Sequence, residues 1–288
     1  MKKLSLVTAL SALFISGCSI SVGAQPNLKH TQESLVLNNA KALSGFNIHA
    51  GSGSLTVVGE EGLTAIHVDA AITTSEDNEY KLTLANHNGS ARLVAKTDNS
   101  QWSQSHNSID LTVRMPKGMM LDINDGSGKI TVSDLNNNLK INDGSGHIDL
   151  TNINGAVNIN DGSGGIKLDH SNGSVDINDG SGSIDLHEIG GAVTINDGSG
   201  QIEINHVTGN VGINDGSGSV LVNDISGNVR VDDGSGDIDV SKVKGNVTIS
   251  DGSGDIDVSD ANSLIIRNDG SGGISSRNIK GTVKIPSK

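Results

Sequence analysis

The tetrapeptide Asp-Gly-Ser-Gly begins at Asp125, Asp143, Asp161, Asp179, Asp197, Asp215, Asp233, Asp251 and Asp269, each start eighteen residues after the last and with no insertion between them. A fixed period of this length marks stacked repeats. A single repeat cannot bury its own apolar face, whereas stacked neighbours share a continuous core. Within each unit apolar and polar residues alternate. Lys129-Ile130-Thr131-Val132 follows one tetrapeptide, and Leu139-Lys140-Ile141-Asn142 leads into the next. Alternation with a period of two over a few residues is the pattern of a half-buried strand. Two short strands and two corners per coil are therefore predicted. The fold class that follows is all-β: a flattened parallel β-solenoid with 18-residue coils, nine of them over 119–288.

Aligning the coils gives columns. One runs Ile130, Ile148, Ile166, Ile184, Ile202, Val220, Ile238, Ile256, Ile274; others run through Val157 and Val175 and through Ile159 and Ile177. These are the β-branched residues that pack on a pleated surface. Asp-Gly and Gly-x-Gly are turn signals, and an Asp side chain bonds backbone N–H groups two residues on. The nine tetrapeptide aspartates accordingly read as structural corners. The second corner carries Gly155, Gly173, Gly191, Gly209, Gly227, Gly245 and Gly281. Asn124, Asn142, Asn160, Asn178, Asn196, Asn214 and Asn268 form a column suited to an amide ladder along the axis.

The chain starts with Met1-Lys2-Lys3, an apolar run and "ISGCS" at 15–19, the arrangement of a bacterial lipoprotein signal with lipid attached to Cys18. The alternative is ordinary signal cleavage after Ala24, giving a signal peptide of 1–24. Either route exports the protein, with an outer-membrane lipoprotein facing periplasm or surface favoured over a soluble periplasmic or secreted form. Cys18 is the only cysteine, which excludes a disulfide within one chain. Residues 25–40 read as a polar tether. Residues 41–118 read as a β cap: "FNIHAGSGSLTVVG" at 46–59 spells a loose coil, and three strand runs follow over 64–73, 80–98 (turning at 86–89) and 108–116. At the far end Arg267 and Ser276 interrupt core columns, and Lys284, Pro286 and Lys288 dilute the last strand, which blunts an edge.

"IDLTVRMPKGMMLDINDGSGKITVSDL" (109–135), a strand, a Pro-Lys-Gly turn and then Gly-Ser-Gly-x-Ile coils, resembles a bacterial family of β-strand-repeat proteins labelled adhesins largely by shape. The resemblance covers roughly 40–288. It implies a repeat architecture and no catalytic residues.

Aromatic residues are 1% of the chain and the net charge is −13. The first leaves no stacking platforms for sugars. The second opposes nucleic acid and anionic headgroups, so no nucleic acid is expected as a partner, and membrane contact only through the lipid anchor. No coil carries an inserted loop in which a polysaccharide-cleaving β-helix would keep its groove, so no enzyme is expected. The leading expectation is a non-enzymatic exported scaffold, adhesin-like, whose partner is a cell-envelope or extracellular macromolecule. The alternative is a calcium-binding solenoid: the corner aspartates stack about 4.8 Å apart, and calcium favours carboxylate oxygens. The corners lack the Asp that the calcium-binding nonapeptide places two residues after Gly, since Ile130 and its equivalents stand there. Asp237, Asp239, Asp255 and Asp257 on adjacent coils are the candidate calcium or magnesium ligands, against a solvated acidic face. His170, Glu188 and His206, with His187 alongside, are a weaker transition-metal candidate. An ice-binding face would need a regular Thr-x-Thr array, and the outward pairs (Lys129/Thr131, His147/Asp149) are irregular.

Overall fold

The computed structural model describes residues 28–75, 79–97 and 107–286. Each coil strand pairs in parallel with the strand eighteen residues on. Leu139–Asp143 lies against Val157–Asp161, which lies against Val175–Asp179. On the opposite face Ile148 meets Ile166 and Ile166 meets Ile184. The tetrapeptide corners are superimposed: Ser253 bridges Ser271, and a side chain placed on Gly182 would meet the carbonyl oxygen of Gly164. The chain is thus a parallel β-solenoid of about nine turns, with the Ile, Val and Leu columns fully buried between its two faces.

One side of the coil bends a second time. Asp134, Asn152, His170, Glu188, His206, Asp224, Lys242, Asp260 and Asn278 all hold left-handed backbone, with φ between 54° and 61°. The kink turns the next side chain inward, which creates a further buried column through Leu135, Ile153, Ser171, Ile189, Val207, Ile225, Val243 and Ala261. Each coil therefore has three buried corners' worth of contacts, not only the two-strand core read from the alternation.

The N-terminal strands are β1 (Leu28–Leu37), β2 (Gly45–Ala50), β3 (Leu55–Glu60), β4 (Ile66–Ser75), β5 (Tyr80–His87), β6 (Ser90–Thr97), β7 (Ser108–Pro116), β8 (Met120–Asn124) and β9 (Ile130–Leu135). β2 and β3 form a true coil, stacked on β8 and β9 through Phe46–Leu121 and Leu55–Ile130 pairs. On its outer side lies a further coil made by β6 and β7, pairing Phe46 with Ala91 and Leu55 with Leu111. Only β1, β4 and β5 run antiparallel and close the end: β4 on β7, β5 on β6, and β1 on β4. Asn88 and Gly89, both at positive φ, make the tight β5–β6 turn, with His87 opposite Ser90.

Two expectations are corrected here. Residues 28–37 are not tether but the outermost strand, paired along its whole length with β4. The apolar residues it packs against the core, Leu35 and Leu37, fall only in its second half, so the alternation that betrays a strand is weak. Arg267 does not interrupt the core. A register shift pairs Val247 with Leu264 and Ile249 with Ile266, so the buried column passes through Ile266 and Arg267 is turned out to solvent.

Candidate functional site

The corner is built from backbone that only glycine tolerates. Gly146, Gly164, Gly182, Gly200, Gly218 and Gly236 hold φ between 137° and 150°, and the coils approach so closely there that no Cβ fits. The preceding aspartate points inward. From Asp161 to Asp251, one carboxylate oxygen accepts the N–H of the serine two residues on at 3.1–3.3 Å. The other oxygen, Oδ2, is buried with no hydrogen-bond partner in the same six residues. Burial raises the pKa of each of these aspartates, with neighbouring column aspartates adding to it at several positions; Asp179 and Asp233 are pushed up to about 6. Asp125, beside the charge of Asp143, is pushed up to about 7, burial again being the larger cause. The corner assignment thus has a hydrogen-bonded geometry behind it. The asparagine column beside it is a ladder, each Nδ2 donating to the Oδ1 one coil back from Asn142 to Asn196 at 3.1–3.2 Å.

Asp237, Asp239, Asp255 and Asp257 come together along a shallow groove of about 510 Å³ that also takes in Leu221 and Ile274. Three of the four carboxylates are already engaged, two by backbone N–H groups and one by an ion pair. Asp237 accepts the N–H of Asp255 at 3.0 Å, and Asp255 that of Gly273 at 2.8 Å. Asp257 faces Arg277 at 3.6 Å. Among the described residues no three His, Cys, Asp or Glu side chains are placed to hold a metal ion. The histidine column is likewise partnered: His170 bridges Asp169 and Glu188 at 2.8 and 2.6 Å, His187 meets Asp169 at 3.0 Å, and His206 meets Asp224 at 3.1 Å. Cys18 lies outside the described residues.

A feature absent from the sequence reading sits on the cap. β5 turns Tyr80, Leu82 and Leu84 toward the core and Lys81, Thr83, Ala85 and His87 outward; β6 presents Arg92, Val94 and Lys96, and β2 presents His49. Together they line a concavity of about 450 Å³ that contains no carboxylate. Burial, then the charges of Arg92 and Lys96, lower the pKa of His49 against the opposing pull of Asp122. The alternation of Lys81 and of Arg92-x-x-x-Lys96 within strands was visible, but only the β5–β6–β2 pairing joins them.

These elements define a capped, two-faced parallel β-solenoid with inward-facing acidic corners and a cationic concavity on the cap. The chain belongs to the Toastrack DUF4097 family, whose profile matches residues 48–223. No curated protein matched the sequence. Similar solved structures include one from Clostridium sporogenes provisionally named a cell adhesion protein, at 12% identity and a TM-score of 0.29, covering 86% of this chain and 100% of that one. One from Bacteroides fragilis, provisionally named an adhesin, shares 12% identity at a TM-score of 0.35, covering 88% and 100%. One from Parabacteroides distasonis, provisionally named a lipid-binding protein, shares 14% identity at a TM-score of 0.35, covering 88% and 97%.

Proposed function

We propose that the protein is a non-enzymatic exported scaffold of adhesin-like type that holds cell-envelope or extracellular material along its faces. The observation that carries this reading is the constant 18-residue register of the coils from Leu121 to Asp251. Strand after strand presents its outward residues at one spacing, on two flat faces that suit extended contact better than enclosure of a small substrate. Membership of the Toastrack family and the names given to the similar structures agree with a binding role. The N-terminal sequence supports export and anchoring through Cys18 to the outer membrane.

The test is capture from envelope and extracellular extracts with the immobilised full chain. A parallel capture uses a chain whose outward positions Asn158, Asp176, Thr194 and Arg230 are changed to lysine. A partner retained by the first and lost by the second supports the reading; a partner held equally by both, or turnover of an envelope polysaccharide by the purified chain, overturns it. Mass measurement of the exported chain and of Cys18→Ser reports on the anchor.

A further inference from the structure

We propose that the cationic concavity of the cap, formed by Lys81, Arg92 and Lys96 with His49 and His87, docks on an anionic lipid surface. The average charge of the chain conceals this. Residues 28–118 carry seven Lys/Arg and nine Asp/Glu, whereas residues 119–288 carry eleven and twenty-four, so most of the negative charge resides in the solenoid. Within the weakly charged cap three positive groups are gathered on one face. Lys81 is directly opposite Lys96, and Arg92 neighbours Ala85 on one side and Asn47 on the other. Like charges directly opposite one another weaken a strand pair, so this arrangement works against folding. Elsewhere Arg114, Lys117, Lys129, Lys167, Arg230 and Arg277 each face a carboxylate. Among the described residues Lys81, Arg92 and Lys96, like Lys140 and Lys242, have no such ion pair, but these three share one concavity that no Asp or Glu lines. Burial first, and then the charges of Arg92 and Lys96, depress the pKa of His49 against the opposing pull of Asp122.

The place of the patch selects the occupant, an argument that rests on the anchored reading above. The described chain enters at Leu28, paired with Ser75 at the end of β4 from which the chain passes on to Tyr80 and Lys81. Nine residues separate Cys18 from Leu28, a span of at most about 35 Å when extended. A lipid on Cys18 therefore holds the cap, and not the acidic solenoid, close to the headgroups. Lys and Arg gain affinity from an anionic surface over roughly a Debye length. The opposite face carries Asp149, Asp185, Glu203, Asp239 and Asp257 in one outward column, against a single Lys167, and is repelled. Docking then turns this sheet face of the cap toward the bilayer and the opposite, acidic face away from it.

The probe is the full chain carrying Cys18→Ser, so that acylation and docking are read apart. It is sedimented with vesicles of phosphatidylcholine alone or of phosphatidylcholine and phosphatidylglycerol in equal parts. Binding to the mixed vesicles only, falling steeply with salt and reduced about a hundredfold in Lys81→Gln/Arg92→Gln/Lys96→Gln, is the expected result. A Lys129→Gln/Lys167→Gln chain on the opposite face should bind like the parent, and matching melting curves confirm that each variant folds. Equal binding to both vesicle types, or full binding by the triple variant, overturns the proposal. So does self-association at low salt that the triple variant abolishes without any preference for anionic vesicles, which would give the concavity to the acidic face of a second copy. Absence of lipid on native Cys18 would overturn the anchor reading while leaving the vesicle result to be judged on its own.

Discussion

The Oδ1 atom of Asp215 accepts the backbone N–H of Ser217 at 3.2 Å, while its Oδ2 has no partner although the side chain is only 4% exposed. The same half-satisfied carboxylate recurs in coil after coil. A buried charge without full compensation disfavours the ionised form, which is why the pKa of every column aspartate from Asp125 to Asp251 is raised.

A pH dependence follows with a definite sign. A carboxylate whose folded pKa lies above its unfolded value keeps its proton longer in the folded state, so its contribution to stability is full below the unfolded pKa and falls as pH rises through the folded one. For Asp179 and Asp233 that window runs from 3.8 to about 6. The melting temperature should therefore be higher at pH 5 than at pH 8. Asp179→Asn and Asp233→Asn keep the acceptor for the serine N–H and remove the charge. Each should stabilise the protein at pH 8 by about 1–3 kcal/mol and flatten the pH profile, as followed by thermal denaturation. A profile unchanged in the double variant would count against the column as its source.

Glycine is required at the corner and is a liability at position 212. A Cβ on Gly182 would lie 1.5 Å from the carbonyl oxygen of Gly164, with φ at 148°. Gly182→Ala should cost upward of about 3 kcal/mol, read as a lowered denaturation midpoint. Gly212 has open space around its Cβ position and lies in register with Thr194 and Arg230. Gly212→Thr should gain about 0.5–1 kcal/mol.

Ser171 interrupts an aliphatic column. It pairs with Ile153 on one side and Ile189 on the other, is 2% exposed, and its hydroxyl finds no partner. Ser171→Val removes an unsatisfied buried group and adds apolar contact, so chemical denaturation should show a gain of about 1–2 kcal/mol.

Calcium is expected to move the melting temperature no further than magnesium at equal ionic strength. The carboxylates of Asp237 and Asp255 already hold backbone N–H groups, and giving these up would offset ligation. A calcium-specific rise, lost in Asp239→Asn/Asp257→Asn, would instead identify a cation site there.

The regular part of this fold was legible because its period never slips across nine corners: Asp143, Gly146 and Ile148 each predict their counterparts eighteen residues on, and the parallel register agrees. The kink column was not read, since its members include Asp134, Asn152, His170 and Lys242 and no glycine marks the left-handed turn. Asp, Asn and His enter that conformation more readily than most residues, so the polar letter before each buried aliphatic was the available sign. The cap was legible strand by strand, β1 excepted, but not in its order. Phe46 pairs with both Ala91 and Leu121, and no local pattern announces neighbours so distant in sequence. The cationic concavity escaped notice for the same reason, with a whole-chain charge of −13 pointing the other way.

The position of β2 and β3 between coils made later in the chain sets a direction for assembly. A ribosome delivers Phe46 well before Ala91 and Leu121, so the first turn waits, open on both sides, until its two covers are synthesised. Once that seed is complete, every additional eighteen residues settle onto a finished platform with nothing left to rearrange behind them. Duplication or loss of one unit near the C-terminal end would alter the reach of the rod and leave its foot untouched, so that length is a quantity this architecture can adjust one rung at a time.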